Sequence, residues 1–128
     1  MKTCPFCHLP PERIVAEDGP CLAIRDLYPV SDGHTLILTR RHIASFREMT
    51  GEEWAAVQRL SQRIADGLQG KDATIRGFNL GINDGPSAGQ TIPHVHIHLI
   101  PRREGDVQQP RGGVRGVIPC RRNYPKSS

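Results

Sequence analysis

The sequence predicts an α+β fold, an antiparallel sheet of about five strands with one long helix and a short helix. Three features point there: β-prone runs broken by Gly, Pro and Asp clusters, one long amphipathic stretch behind a capping signal, and a late run in which His alternates with apolar residues. Arg13-Ile14-Val15-Ala16, Cys21-Leu22-Ala23-Ile24-Arg25 and His34-Thr35-Leu36-Ile37-Leu38-Thr39 are separated by Asp18-Gly19-Pro20 and by Pro29-Val30-Ser31-Asp32-Gly33, which is the pattern of an antiparallel meander.

Thr50-Gly51-Glu52-Glu53 is a capping box, so a helix is expected to start there. Trp54, Val57, Leu60, Ile64 and Leu68 then recur at three or four residues, giving a stripe that faces the sheet, and Gly67 and Gly70 are expected to close the helix. Arg76 to Asn83 reads as a strand that turns through Asp84-Gly85-Pro86-Ser87-Ala88-Gly89 into the histidine run.

With 128 residues and 37% hydrophobic content, the chain fits a single domain spanning 1–128, with a core over 1–106 and a basic arm over 107–128. A net charge of +4 favours anionic small molecules or weak attraction to nucleic acid without requiring either. Lys2, Thr3 and Cys4-Pro5 follow Met1 directly, and no run approaches the ~20 apolar residues of a membrane span, so a cytoplasmic protein without membrane contact is expected. A reducing compartment argues against disulfides. Cys4 and Cys7 form a CxxC with a metal or redox role, Cys21 reads as a small buried hydrophobe, and Cys120 as a free thiol. In the arm, Arg111, Arg115, Arg121, Arg122 and Lys126 meet no acid after Asp106, which suits either a solvated tail or contact with polyphosphate or a partner subunit.

In Pro93-His94-Val95-His96-Ile97-His98-Leu99-Ile100 a strand would place three imidazoles on one face, ~6.5 to 7 Å apart in turn, with Val95, Ile97 and Leu99 directed to the core. Such imidazoles can share a polyatomic anion or divide between a metal and a substrate. Cys4 and Cys7 supply half of a tetrahedral zinc site, and His8, His42 and a triad histidine are candidates for the rest. His8 adjoins Cys7 and is expected to point away, which favours His42 and His94 and leaves His96 and His98 for substrate. Four protein ligands make that zinc structural. The alternative is a free or redox CxxC, for which no thioredoxin-like βαβ unit is present.

Gly85 to Thr91 is either a hairpin loop or a phosphate cradle of backbone N–H groups, with the Gln90 amide and the Thr91 hydroxyl as further donors. A neutral His96 can attack phosphorus to give a phosphoramidate that water later cleaves, while His98 hydrogen-bonds the bridging oxygen and protonates the departing group.

The run Gly89-Gln90-Thr91-Ile92-Pro93-His94-Val95-His96-Ile97-His98-Leu99-Ile100-Pro101-Arg102 closely resembles the signature of the histidine triad (HIT) superfamily. With Asn83 to Gly89 and Arg103-Glu104-Gly105-Asp106, it is most similar to the fragile histidine triad and diadenosine polyphosphate hydrolase branch. The resemblance implies a homodimer of α+β subunits joined into a continuous sheet, with nucleotide beside each triad. It implies His96 as nucleophile, His98, Gly89, Gln90 and Thr91 around the α-phosphate, Asp26 on the ribose, Asn83 on ribose or phosphate, and His34 as a fourth histidine near the site. In zinc-containing members the positions of Cys4, Cys7, His42 and His94 are ligands. The chain departs from that branch in its CxxC and in Asp26, where the branch usually carries Asn.

The expected function is hydrolysis of dinucleoside polyphosphates such as diadenosine tetraphosphate. Phosphoramidase action on adenylated amines, adenylylsulfate hydrolysis and phosphorolysis would use the same residues. A nucleotide-binding signalling module with incidental turnover is the alternative of another class. Work on nucleic acid ranks lowest, because no appended zinc finger or further basic domain is present.

Overall fold

A computed structural model describes residues 3–125; Met1, Lys2 and Lys126 lie outside them, as do the last two serines. Five strands, β1 (Ile14–Asp18), β2 (Cys21–Arg25), β3 (Thr35–Thr39), β4 (Ile75–Ile82) and β5 (His96–Arg103), form one antiparallel sheet in the order β1-β2-β3-β5-β4. The last strand in sequence is inserted between β3 and β4, so the histidines lie inside the sheet and β4 is an edge.

The register separates the two faces. Leu36 pairs with His98 and Leu38 with His96, so these histidines share a face with Leu22, Ile24, Leu36, Leu38 and Phe6. Ala23, Ile37, Ile97 and Leu99 point to the other side, where they form the main core with Val95 and with Val57, Leu60 and Ile64 of the helix α1 (Gly51–Lys71). The expected direction of Val95, Ile97 and Leu99 therefore holds.

The helix starts as the sequence indicates. Thr50 Oγ1 accepts from the Glu53 amide at 3.1 Å, and Glu53 Oε1 accepts from the Thr50 amide at 2.8 Å. The Arg41 guanidinium grips both carboxylate oxygens at 3.0 Å, which compensates for burying Glu53. The expected end is corrected: α1 runs through Gly67 and Gly70 to Lys71, with Asp72 as C-cap. A glycine costs a helix only ~1 kcal/mol, and the packing of Ile64 and Leu68 against the core outweighs that penalty. Trp54 is also corrected. Its spacing puts it on the apolar stripe, yet it stands 40% exposed, edge-on to Phe46 and beside Leu80 of the edge strand.

The histidine strand starts later than its alternation suggests. His94 and Val95 precede β5, where the Val95 amide donates to the Ile43 carbonyl at 2.7 Å, so only His96 and His98 belong to the ladder. The short helical segments among the described residues are 3-10 turns, at Pro11–Arg13, Phe46–Glu48, Pro86–Ala88, Gly113–Val117 and Pro119–Arg121. The last two order the basic arm. Arg115 donates to the carbonyls of Arg122 at 3.1 Å and Arg121 at 2.8 Å while its guanidinium lies 4.4 Å from the Tyr124 ring centre. Gly112 is needed there: its φ is +94°, and a Cβ would lie 2.5 Å from the Arg122 carbonyl oxygen.

Candidate active site and metal centre

Cys4, Cys7, His42 and His94 converge with their donor atoms all within 4.8 Å of one another. The CxxC turn is closed by the Cys7 amide on the Cys4 carbonyl, His42 follows β3, and His94 precedes β5. Sulfur to imidazole distances are 3.5 Å for Cys4–His94, 3.2 Å for Cys7–His42 and 3.6 Å for Cys7–His94. A tetrahedral zinc with bonds of ~2.3 Å to sulfur and ~2.0 Å to nitrogen sets such pairs about 3.5 Å apart. His94 also has the right tautomer. Its Nε2–H donates to the Thr39 carbonyl at 2.7 Å, leaving the Nδ1 lone pair directed at the two sulfurs. Burial lowers the His94 pKa, partly opposed by that bond to Thr39, and burial with the neighbouring Cys4 raises that of Cys7.

The remaining histidines are fixed by partners of opposite kind. His96 donates from Nδ1 to the His94 carbonyl at 2.8 Å, which leaves its Nε2 lone pair uncommitted. His34 accepts at Nδ1 from the Val30 amide at 3.2 Å, so its proton sits on Nε2 and is donated to His98 Nδ1 at 2.9 Å. His98 must then carry its own proton on Nε2. The two rings, 5.2 Å apart between centres, thus offer one lone pair and one N–H side by side. Asp26 joins this chain, with Oδ2 3.5 Å from His34 Nε2 and Oδ1 accepting from the Tyr28 amide at 2.8 Å. Asp26, His34 and His98 cluster closely enough to suggest a second metal site, but a metal on His34 Nε2 would force a proton onto Nδ1 against the Val30 N–H. The cluster is a hydrogen-bond chain.

Burial, then the neighbouring His96 and His34, lower the His98 pKa to about 4, and burial lowers His34 against the pull of Asp26. His98 is therefore neutral throughout the physiological range. Such a ring binds fewer protons folded than unfolded, so its stabilisation is complete above pH 6.5 and is lost as pH falls toward about 4. The expected loss is on the order of 2 kcal/mol across that window. Denaturant titrations should show His98→Gln with a flatter acid limb than the parent, and identical limbs would contradict the assignment.

The loop from Gly85 to Thr91 keeps many of its donors to itself. The amides of Ala88 and Gln90 bond to the Gly85 carbonyl and that of Gly89 to Pro86, while Gly85 donates to Gln90 Oε1 at 2.8 Å. Gln90 Nε2 spans the carbonyls of Ala44 at 2.9 Å and Ile92 at 3.2 Å, so its amide braces the loop instead of pointing outward as expected. Thr91 and Gly89 are exposed in the segment that leads into His94, and Asn83 is exposed just past β4.

A model of the HIT domain matches residues 10–105. The chain belongs to the HIT-domain family. The HIT domain is 39% identical over 110 residues to an uncharacterized HIT-like protein of Mycobacterium tuberculosis, covering 80% of this chain and 74% of that protein. It is 36% identical over 87 residues to a bifunctional bis(5'-adenosyl)-triphosphatase/adenylylsulfatase of Arabidopsis thaliana, covering 68% of this chain and 48% of that protein. A crystal structure of a zinc-bound histidine triad family protein from Mycobacterium smegmatis superposes with a TM-score of 0.68 at 35% identity, covering 75% of this chain and 69% of that one. No helix among the described residues of this HIT domain is long and apolar enough to cross a membrane.

One site residue was not singled out in the sequence. Phe6, between the two cysteines, is buried and sets its ring edge-on to His94 at 5.8 Å and to His96 at 5.0 Å between centres. The CxxC turn thus touches the uncommitted histidine directly. An aromatic residue inside a CxxC that packs on a sheet face was the available signal.

Proposed function

We propose that this HIT domain is a nucleotidyl hydrolase acting at the α-phosphate of dinucleoside polyphosphates, diadenosine tetraphosphate being the type, or of related nucleotides with an anionic leaving group. The opposite tautomers of His96 and His98 carry the reading. His96 Nε2 attacks phosphorus, the bond to the bridging oxygen breaks, and its electron pair leaves with that oxygen. The positive charge arising on the imidazole is met by the His94 carbonyl at Nδ1. Water then displaces the nucleotide from nitrogen, regenerating His96 and releasing a mononucleotide.

In this reading His98 Nε2–H donates a hydrogen bond to the leaving oxygen. Held neutral, it stabilises a departing phosphate or sulfate anion better than it could protonate an amine, which ranks phosphoramidase activity below polyphosphate and adenylylsulfate cleavage. The activities named for the Arabidopsis relative support this order. Gly89, Gln90 and Thr91 would border the α-phosphate, and Asp26 and Asn83 would take ribose hydroxyls, with His34 holding His98 in place. Cys4, Cys7, His42 and His94 would hold zinc, which when bound crosslinks the N-terminal turn to the segments flanking the site. Four protein donors leave it no open position for water. Free thiols and a thiolate site suit a cytoplasmic setting.

The family's homodimer is part of the proposal. The edge strand β4 can pair with its copy, beside a cleft of about 350 Å³ lined by Phe46, Trp54, Leu80 and Ile82. Light scattering is expected to give twice the 14.2 kDa chain mass; the single-chain mass would sink the dimer. Acid-quenched mass spectrometry during turnover of diadenosine tetraphosphate tests the reaction. A nucleotidyl adduct that is absent in His96→Ala supports the hydrolase. Equal turnover by parent and variant with unchanged affinity would replace it with a nucleotide-binding module.

A further inference from the structure

A neutral imidazole carries its proton on either ring nitrogen, and at His34 the Val30 amide, 3.2 Å from Nδ1, excludes a proton there. Val30 leads into a tight turn in which the His34 amide donates to the Ser31 carbonyl at 3.0 Å. Gly33 holds that turn at a φ of +95°, packed so closely that a Cβ would lie 3.2 Å from Pro101 and 3.3 Å from Leu68. Ser31 uses its hydroxyl twice. It donates to the Pro101 carbonyl at 2.7 Å and accepts from Arg103 Nη1 at 2.8 Å.

Arg103 grips this turn from the opposite side of the sheet. It follows His98 in β5 by an odd number of positions, so alternation directs it away from the triad. Its guanidinium donates from all three nitrogens: Nε to Thr74 Oγ1 at 3.2 Å, Nη1 to Ser31, and Nη2 to the Asp32 carbonyl at 3.1 Å and to Asp72 Oδ2 at 2.9 Å. Hydrogen bonds from Thr74 and then from Arg103 hold the Asp72 carboxyl down at about 2, so this anchor stays charged. One planar group thus ties the C-cap of α1 and the end of β5 to the two residues that follow Val30. Behind the turn lies a cleft of about 340 Å³ bordered by Arg25, Gly33, Leu68, Lys71 and Arg103. Without the clamp the turn has room to move.

We propose that Arg103 is a positioning residue for the leaving-group step: by holding Ser31 and Asp32 it keeps the Val30 amide on His34 Nδ1, and so keeps the His98 proton on Nε2. The inference rests on the nucleotidyl hydrolase reading for what the His98 N–H does, and on the hydrogen bonds alone for where that proton sits. If the Val30 amide withdraws, His34 can carry its proton on Nδ1 and accept at Nε2. His98 then donates to it from Nδ1 and presents a bare Nε2 to the departing oxygen. Each ring keeps one proton, and one hydrogen bond still joins them, so the pair has two arrangements of which one is productive. Asp26 Oδ2, 3.5 Å from His34 Nε2, also favours the productive one. In the proposed complex ribose hydroxyls share that carboxylate, which leaves the turn as the remaining constraint.

Proton–nitrogen NMR of the zinc-loaded full chain reads the tautomers without turnover. Arg103→Gln should move the His34 and His98 protons to Nδ1 in most molecules. Ser31→Ala, which removes the same contact from the turn side, should do likewise and keeps the test open if the loss of Arg103 unfolds the chain. In either variant kcat on diadenosine tetraphosphate should fall about tenfold with KM within about twofold, a loss bounded by the ~10²-fold expected of His98→Ala. Added to His98→Ala, each substitution should cost under about twofold more, whereas a general weakening of the fold would still lower kcat there. Protons that stay on Nε2 of His34 and His98 in both variants overturn the proposal, as does a tenfold loss that persists in the His98→Ala background. Failure of the hydrolase reading looks different: no His96 adduct forms in the parent, while the proton shift in Arg103→Gln and Ser31→Ala still appears.

Discussion

Replacing His96 with glycine is expected to reduce turnover of a dinucleoside polyphosphate by about 10⁴-fold or more, equivalent to roughly 5 to 6 kcal/mol of transition-state stabilisation. The loss is large because no neighbour can substitute. The His98 lone pair is taken by His34 at 2.9 Å, and His94 spends Nε2 on the Thr39 carbonyl and directs Nδ1 to the cysteines. Nucleotide affinity should change little, because His96 contributes a lone pair to the reaction and little to ground-state binding. His98→Ala should be milder, about 10²-fold, since it removes one hydrogen bond to the departing oxygen and leaves the nucleophile intact. Steady-state kinetics with direct binding measurements checks both. A His96→Gly protein within tenfold of the parent would remove the covalent route.

Removing the metal is expected to destabilise the fold by at least about 3 kcal/mol, or about 10 °C in Tm for a domain of this size. Two thiols and two imidazoles converge from three separate segments, and without a cation only weak sulfur to nitrogen contacts of 3.2 to 3.6 Å hold them. The turn bearing Phe6 would loosen, and Phe6 packs on His96. The His94 carbonyl that fixes the His96 proton belongs to a residue of the same cysteine and histidine cluster. Metal removal should therefore slow the chemistry before global unfolding, beyond the purely structural role that four closed ligands suggest. Cys4→Ser and chelator treatment, followed by calorimetry and metal analysis, test this. About one zinc per chain in freshly reduced protein, lost together with stability, is the expected result. A metal-free protein of unchanged Tm would refute the ligand set.

Much of this was legible in the residues. The capping box at Thr50 and Glu53, the strand runs and the spacing of Val57, Leu60 and Ile64 depend on local periodicity, which survives folding. The CxxC and the late histidines named the metal-ligand candidates because sulfur and imidazole have few other uses in that pattern. What escaped was decided by distant partners. His94 left the strand because Ile43 captured the next amide, and Trp54 left the core because α1 carries it beside the sheet edge. The helix passed its glycines because packing outweighed propensity. The tautomers of His96 and His98 depend on a carbonyl and on the amide of Val30, neither of which leaves a mark on side-chain spacing.

The chemistry depends on a His96 that presents a bare Nε2 beside a His98 that presents an Nε2–H. Long-range proton–nitrogen NMR correlations of the imidazole rings in the labelled, zinc-loaded protein near neutral pH read this directly. The His96 proton is expected on Nδ1 and the His98 proton on Nε2. A His96 ring protonated on Nε2 would contradict it, because the lone pair needed for attack would then face the His94 carbonyl.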